Sequence, residues 1–325
     1  MFEEAKAQFE KMFRGEMAPE EAKAYLVALY ERGETPEEIA AAVEVMRAHS
    51  IKLDVPETLR KKLIDVVGTG GDKSGSFNIS STVALILASM GSYVAKHGNR
   101  AVTSNSGSAD MLEALGINLN LTPEKQVRML EETGFTFMFA INHHPAMKHI
   151  MPIRKSLDHR TIFNILGPLT NPAGSRKYLI GVFSEAFLGR IVTALSILDT
   201  KNAIAVSSRD GMDEISISDV TYATQLQNGE VKEFVIDPQH YGFKLAPIEA
   251  IRGGDARENA EITYKIFEGE KGPRRDIVLL NAAAAFVVDA KARDFQEGIE
   301  MAKEAIDSGL AKNHLKKIVK TSNSL

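Results

Sequence analysis

Leu63-Ile64-Asp65-Val66-Val67-Gly68-Thr69-Gly70-Gly71-Asp72 is the stretch whose reading decides the fold. Its first five residues form a short, mostly apolar run that reads as a buried strand. The five that follow are too rich in glycine for the interior of a helix or strand. Ser76-Phe77-Asn78-Ile79-Ser80-Ser81-Thr82 then leads into the apolar run from Val83 to Met90. The pattern recurs at once. Lys96-His97-Gly98-Asn99-Arg100 makes a second loop, and Thr103-Ser104-Asn105-Ser106-Gly107-Ser108-Ala109-Asp110 runs into Met111-Leu112-Glu113-Ala114-Leu115.

Chemically this is an anion site. Glycine lets backbone N–H groups approach a ligand closely. The first turn of a helix leaves N–H groups unpaired and carries partial positive charge. Serine and threonine hydroxyls add donors, and Lys96 and Arg100 add charge. Two such loops facing one crevice suit two phosphate groups. The common phosphate motifs do not match: a P-loop needs glycine directly before its lysine, and Lys73 follows Asp72. A dinucleotide fingerprint needs a third glycine where Lys73 stands.

Composition sets bounds. A chain of 325 residues buries a sizeable core, and its 44% hydrophobic and 25% charged fractions are ordinary for a globular protein. A net charge of −4 gives no general sign of nucleic-acid or membrane binding, so a phosphate must be held by local positive charge. The absence of cysteine excludes disulfides, thiolate metal sites and cysteine nucleophiles. The acidic start Met1-Phe2-Glu3-Glu4 is unlike a signal peptide, and no apolar run approaches membrane-spanning length. A cytoplasmic protein is expected.

Residues 1–60 read as a small helical domain that packs or dimerises, with helix starts at Pro19-Glu20-Glu21 and Thr35-Pro36-Glu37-Glu38. Residues 61–325 read as a large α/β domain, the helices of about 150–175 joining the small one. Strands are expected at Phe135 to Ile141, Tyr178 to Phe183 and Ala203 to Ser207. Thr221 to Leu226 and Val231 to Ile236 read as a hairpin about Asn228-Gly229. Helices are expected from Thr122 through Leu130, at Glu185 to Leu198, and at Ala256–Phe267, Ile277–Val288 and Phe295–Ser308. The paired His143 and His144 point in different directions and suit substrate contact or packing better than metal. Residues 147–172 form a polar loop and helix-end region. Asp213-Glu214 closely follows a strand, where open parallel sheets bind ligands. Adjacent carboxylates there suit a hard divalent ion, though on spacing alone an acidic turn fits equally.

Gly68-Thr69-Gly70-Gly71-Asp72, Phe77-Asn78-Ile79-Ser80, Lys96-His97-Gly98-Asn99-Arg100, Ser106-Gly107-Ser108-Ala109-Asp110 and Gly167-Pro168-Leu169-Thr170-Asn171-Pro172 together resemble the signatures of the anthranilate phosphoribosyltransferases. The resemblance runs from the first helix to near the C-terminus. It departs at Ser81 and Thr103, where the family usually has Thr and Ser, and at Asn105, usually Lys. It implies a helical domain beside an α/β domain with a mostly parallel central sheet, in the class of nucleoside phosphorylases and related phosphoribosyltransferases. It also implies Mg²⁺-dependent transfer of phosphoribose from 5-phosphoribosyl-1-pyrophosphate (PRPP) to anthranilate in tryptophan biosynthesis, by a homodimer with no nucleic-acid or membrane partner. Carried over by motif, Gly68, Gly71, Asp72, Ser76, Asn78, Ile79, Ser80, Ser81, Lys96, His97, Gly98, Asn99, Arg100, Ala101, Val102, Thr103, Ser104 and Ser108 hold the sugar donor. Ser80, Asp213 and Glu214 resemble the Mg²⁺ ligands, and Asn99 and Arg154 the anthranilate contacts. His97, His144 and Pro168 line the acceptor path, with His97 a candidate proton acceptor. Two rivals stand beside this reading. Pyrimidine-nucleoside phosphorylases carry Lys-His-Ser-Gly-Arg where this chain has Lys96-His97-Gly98-Asn99-Arg100. Non-catalytic nucleic-acid-binding relatives are expected to lose motif residues and gain basic surface.

Overall fold

The computed structural model describes residues 1–100 and 106–325. Among these, one sheet contains β1 (Leu63–Gly68), β2 (Tyr93–Gly98), β3 (Phe135–Phe139), β4 (Lys177–Gly181), β5 (Asn202–Ser208), β6 (Thr221–Gln227) and β7 (Glu230–Ile236). The spatial order is β3-β2-β1-β4-β5-β6-β7. Every pairing from β3 to β5 is parallel; β6 and β7 add antiparallel pairs. Gln227 pairs with Glu230 across Asn228-Gly229, whose φ values of 52° and 83° are those of a tight hairpin turn.

Side chains alternate across the strands, as a sheet buried on both faces requires. Leu179, Ile204 and Val206 join a core with the helices Ile79–Ser89, Pro273–Val288 and Phe295–Asp307. Tyr178, Ile180, Ala203 and Ala205 face the other way, into a core shared with the N-terminal helices Phe2–Arg14, Pro19–Arg32 and Pro36–Ala48. The molecule is thus a small helical part beside a large α/β part with a mostly parallel sheet, as expected. Thr35 opens the third helix with a capping box: its hydroxyl accepts from Glu38 N at 3.3 Å, and Glu38 accepts from Thr35 N at 2.9 Å. Arg47 near that helix's end donates twice to Leu169 O, at 3.0 and 2.6 Å. This ties the helical part to the helix Phe163–Leu169.

Some elements differ from expectation. The strand at Phe135 ends at Phe139, because its partner β2 ends with the pair Gly98–Phe139; Ala140–His143 then coils into one helical turn. The strand expected to reach Phe183 stops at Gly181. The helix expected from Glu185 opens as a 3-10 turn, Glu185–Phe187, before Leu188–Ile197. The helix expected from Ile277 starts at Pro273, which suits a first helical position because its missing N–H would be unpaired there. Residues 147–172, where helices joining the small domain are expected at about 150–175, form two, Met147–Lys155 and Phe163–Leu169, despite Pro152 and Pro168 inside them. Packing on the N-terminal helices overrides local propensity: Phe163 meets Phe9 and Phe13 at ring-centroid distances of 6.4 and 6.0 Å. The polar segment Leu310–Ser324 is also a helix, buried along Ala311, Leu315, Ile318 and Ser322. Among the described residues no helix is long and apolar enough to cross a membrane.

Candidate active site

From β1 the chain builds outward on one side through β2 to β3, and on the other through β4 to β5. The crevice outside the carboxyl ends of β1 and β4 is therefore a topological switch point, where open α/β sheets bind ligands. The loops after β1, β2, β4 and β5 all open there. Gly70 and Gly71 take φ of 69° and 75°, a left-handed backbone that other residues adopt only with strain. Gly68 and Gly181 are register partners at the ends of β1 and β4. Both make room for Asp213: a Cβ on Gly68 would lie 2.7 Å from Asp213 Oδ2, and one on Gly181 1.5 Å from the Asp213 carbonyl oxygen. In that space Asp213 Oδ2 accepts from Gly70 N at 2.7 Å.

The acids converge with one buried lysine. Asp213 N donates to Asp72 Oδ2 at 3.4 Å, and Glu214 Oε1 accepts from Ser80 N at 3.2 Å. Lys96, 2% exposed, donates from Nζ to Val66 O at 2.5 Å and to Ser80 Oγ at 3.4 Å. Burial pushes the Asp213 carboxyl up, and the neighbouring Asp72 charge adds to that. Burial also raises Glu214, reinforced by Asp213. Burial pulls Lys96 down against the attraction of Asp65 and Glu214. Crowded carboxylates held above their usual range fit a divalent cation, which would reverse the penalty. Among the described residues no group of three or more acidic, histidine or cysteine side chains is arranged to hold a metal. Two carboxylates and a hydroxyl still suit Mg²⁺, which keeps several waters and shares substrate phosphate oxygens.

Beside the acids lies an imidazole pair. His97 Nδ1 is 3.1 Å from Gly167 O; a carbonyl only accepts, so Nδ1 carries the proton. Nε2 is then bare, buried and without a partner among the described residues. Burial lowers the His97 pKa to about 3, with His144 adding to the shift. The His144 ring sits edge-on to it, centroids 5.1 Å apart. His143 instead turns its Nδ1 to Ile51 O at 2.7 Å, so the two adjacent histidines do diverge. Asp65, fully buried, accepts from His97 N at 3.3 Å and from Asn171 Nδ2 at 2.7 Å, and burial raises its pKa to about 7. Asn171 also donates to Ala95 O at 2.8 Å, so the Gly167–Pro172 segment is pinned to β1 and β2. Pro168 is buried in the helix whose Gly167 holds His97.

The second loop is tied to its own helix, Ser108–Ala114. Asn99 O accepts from Ala109 N and Ser108 Oγ, each at 3.2 Å. Gly98 allows this approach, since a Cβ there would lie only 2.3 Å from Ser108 Oγ. Arg100 departs from the role sketched for it. Its guanidinium pairs with Asp110 and Glu113 at 2.9 and 2.6 Å and lies over the Phe139 ring. Ala101, Val102, Thr103, Ser104 and Asn105 lie outside the described residues. In the first loop Ser76 bridges to Arg252, and Ser74 Oγ donates to Ser76 Oγ at 3.1 Å. Ser81 is buried in the first turn of Ile79–Ser89, its hydroxyl unpartnered among the described residues. Arg154 stands apart from the acids, half-buried on Met147–Lys155 over the Phe163 ring at 5.8 Å, with no ion pair among the described residues.

Three residues escaped the sequence reading. Arg160 reaches Gly71 O at 2.7 Å and lies 3.8 Å over the Phe183 ring. Gly181 and Asn259 carry no motif signal at all; only the register of β4 and the packing of a distant helix reveal them.

Comparison with known proteins follows the same division of the chain. A profile described as glycosyl transferase family, a/b domain, matches residues 60–312, and one described as glycosyl transferase family, helical bundle domain, matches residues 2–50. Anthranilate phosphoribosyltransferase of Methanobrevibacter smithii is 45% identical over 321 residues, covering 99% of this chain and 95% of the relative. The crystal structure of anthranilate phosphoribosyltransferase from Thermus thermophilus superposes with a TM-score of 0.91 at 41% identity, covering 99% of this chain and 96% of that one. The Saccharomyces cerevisiae enzyme in complex with PRPP and Mg superposes at 0.85 with 28% identity, covering 94% and 86%.

Proposed function

The chain belongs to the anthranilate phosphoribosyltransferase family, and from that premise we propose that the crevice at the β1–β4 switch point takes PRPP while anthranilate approaches past Arg154 and His97. The protein is an enzyme that transfers phosphoribose from PRPP to the amine of anthranilate, releasing pyrophosphate, in tryptophan biosynthesis, and it uses Mg²⁺. In our reading Gly68, Gly71, Asp72, Ser76, Asn78 to Ser81, Lys96 to Asn99, the backbone of Arg100 and Ser108 hold the donor, together with residues 101–104. Ser80, Asp213 and Glu214 take the metal. The observation that carries the assignment is the convergence of those three with Lys96 at the carboxyl ends of β1, β2 and β5.

Loss of pyrophosphate leaves positive character at the anomeric carbon, so the main task is to stabilise the leaving group. Held by Ser80, Asp213 and Glu214, Mg²⁺ would supply a Lewis acid for the departing pyrophosphate. The chain supplies the rest: loop N–H groups and Lys96 orient the phosphates, and the Arg154 fork matches a carboxylate. An aromatic amine is neutral at pH 7, so no strong base is needed. The bare Nε2 of His97 is a weak acceptor, and a protonated aryl amine is acidic enough to release its proton to one. We assign no covalent intermediate. A homodimer through the N-terminal helices, a cytoplasmic location and the lack of nucleic-acid or membrane partners belong to the same reading on the strength of the family alone.

The test is an assay with anthranilate, PRPP and Mg²⁺, run beside phosphate-dependent cleavage of a pyrimidine nucleoside. Transfer without nucleoside cleavage is expected. The double variant Asp213→Ala/Glu214→Ala is expected to keep its circular-dichroism spectrum and lose most turnover. Wild-type turnover and an unchanged Mg²⁺ dependence in that variant would remove the metal assignment.

A further inference from the structure

Asparagine is among the best helix N-caps, because its side-chain oxygen accepts from the second or third N–H of the helix. Asn78 stands at the N-cap of Ile79–Ser89 and makes no such bond. Its oxygen is held elsewhere. Asn78 Oδ1 accepts from Asn259 Nδ2 at 2.9 Å and from Ser106 Oγ at 3.1 Å, while its Nδ2 donates to Ser106 O at 3.2 Å.

Asn259 lies on the helix Ala256–Phe267, far along the chain. Residues four apart on a helix share a face. Asn78 and Thr82 are four apart on one segment, Asn259 and Thr263 on the other, and the two pairs meet. Thr82 Oγ1 is 2.8 Å from Thr263 Oγ1 and 3.0 Å from Asn78 O. Thr263 Oγ1 is 3.1 Å from Asn259 O; with one proton each, one hydroxyl donates across the pair and the other to its own carbonyl. The ring closes through Asn259 and Asn78, with Thr82, Thr263 and Asn259 at most 2% exposed. The orientation of the Asn259 amide is fixed from behind, since Gly254 N donates to its Oδ1 at 2.9 Å. Only Nδ2 can then face Asn78. Gly253 leaves the space: a Cβ there would lie 2.5 Å from Asn259 Oδ1 and 2.6 Å from Phe77 Cα.

We propose that Asn259 is a positioning residue for donor binding: with Ser106 it holds the Asn78 side chain off its own helix and so leaves the first-turn N–H of Ser81 uncapped and available to a phosphate, the Ser80 N–H being taken by Glu214. It also links the two glycine loops through Asn78 and Ser106. The inference rests on the assignment of PRPP to this crevice, and its test carries one readout that needs no ligand.

Asn259→Ala removes one of the two donors that hold Asn78 Oδ1, leaving Ser106 Oγ, and so loosens Asn78 toward capping. Thr263→Val breaks the same ring but leaves the Asn259–Asn78 bond, and serves as the structural control. Calorimetric titration with PRPP and Mg²⁺ is expected to show about fivefold to tenfold weaker binding for Asn259→Ala, the worth of one N-cap interaction. The anthranilate KM stays within about twofold, and Thr263→Val lowers Tm without weakening PRPP. In the ligand-free proteins, hydrogen exchange at the Ser81 amide is expected to slow in Asn259→Ala only; the Ser80 amide, already bonded to Glu214, is the internal reference. Asn259→Asp keeps the shape and loses the donor; it is the variant to use if the alanine protein does not fold. Equal loss of PRPP affinity in both ring variants, or unchanged amide exchange in Asn259→Ala, overturns the proposal. Failure of the wild type to bind PRPP overturns the donor assignment instead, and the exchange measurement still decides the role of Asn259.

Discussion

Replacing Gly68 by alanine tests whether the end of β1 is shaped for a carboxylate. Gly68 is not in the left-handed region, so alanine brings no backbone strain there. The added Cβ would stand 2.7 Å from Asp213 Oδ2, closer than such atoms approach one another, and a tight 3.3 Å from its Cγ. The carboxylate is the end of a side chain and can retreat, but only by leaving Gly70 N, to which it is bonded at 2.7 Å. A hydrogen bond to a charged group is worth roughly 1.5–3 kcal/mol, or about tenfold to a hundredfold in affinity. We therefore expect Gly68→Ala to fold and to need about tenfold or more Mg²⁺ and PRPP for half-maximal rate. Gly181→Ala gives the contrast. Its Cβ would lie 1.5 Å from the Asp213 carbonyl oxygen, which is backbone and cannot step aside alone. That change is expected to exceed the roughly 1–3 kcal/mol of ordinary overpacking and to lower Tm markedly. Initial rates against Mg²⁺ and PRPP, with thermal unfolding of each protein, separate the two. A folded Gly68→Ala protein with wild-type Mg²⁺ and PRPP curves would refute the reasoning.

Arg154→Ala is expected to raise the KM for anthranilate more than that for PRPP, since this half-buried guanidinium has no ion pair among the described residues and a fork suited to a carboxylate; an equal rise in both constants would make its role structural. His97 gives a pH dependence whose sign is fixed. Its folded pKa of about 3 lies below the ordinary imidazole value, so its stabilisation is present above pH 6.5 and lost as pH falls toward 3. The stability of wild type relative to His97→Gln, from urea unfolding, is expected to fall by about 2 kcal/mol between pH 7 and pH 5. Asp65, raised to about 7 by burial, acts in the opposite sense over the same range, which is why the difference between the two proteins is the quantity to follow. A constant difference would mean that His97 is not held neutral by the fold.

The first strand was legible because it is a short apolar run stopped by Gly68, and Asn228-Gly229 marks the hairpin of β6 and β7. What escaped was set by contacts between distant segments. The end of the strand at Phe139 depends on where β2 stops, which nothing in residues 135–141 encodes. Leu310–Ser324 was hidden by its polarity; its buried positions follow a helical spacing, but only Leu315 and Ile318 among them are large and apolar.

The site divides in the same way. Glycines, hydroxyls and Lys96 sit in continuous motifs, so their chemistry could be read where they stand. The partners that orient them come from elsewhere: Gly70 N waits for Asp213, and Asn78 for Asn259. Arg100 shows the opposite error. Counted as free charge beside a phosphate loop, it meets Asp110 and Glu113 once the helix Ser108–Ala114 forms. Those acids are three apart, so a helix puts both on one face, turned back toward the loop that precedes it. That spacing was visible in the sequence. The positive charge available to a phosphate then falls mainly to Lys96, which is buried and hydrogen-bonded to Val66 O and Ser80 Oγ. The crowded acids Asp72, Asp213 and Glu214 call for a cation from solution, which fits the use of Mg²⁺.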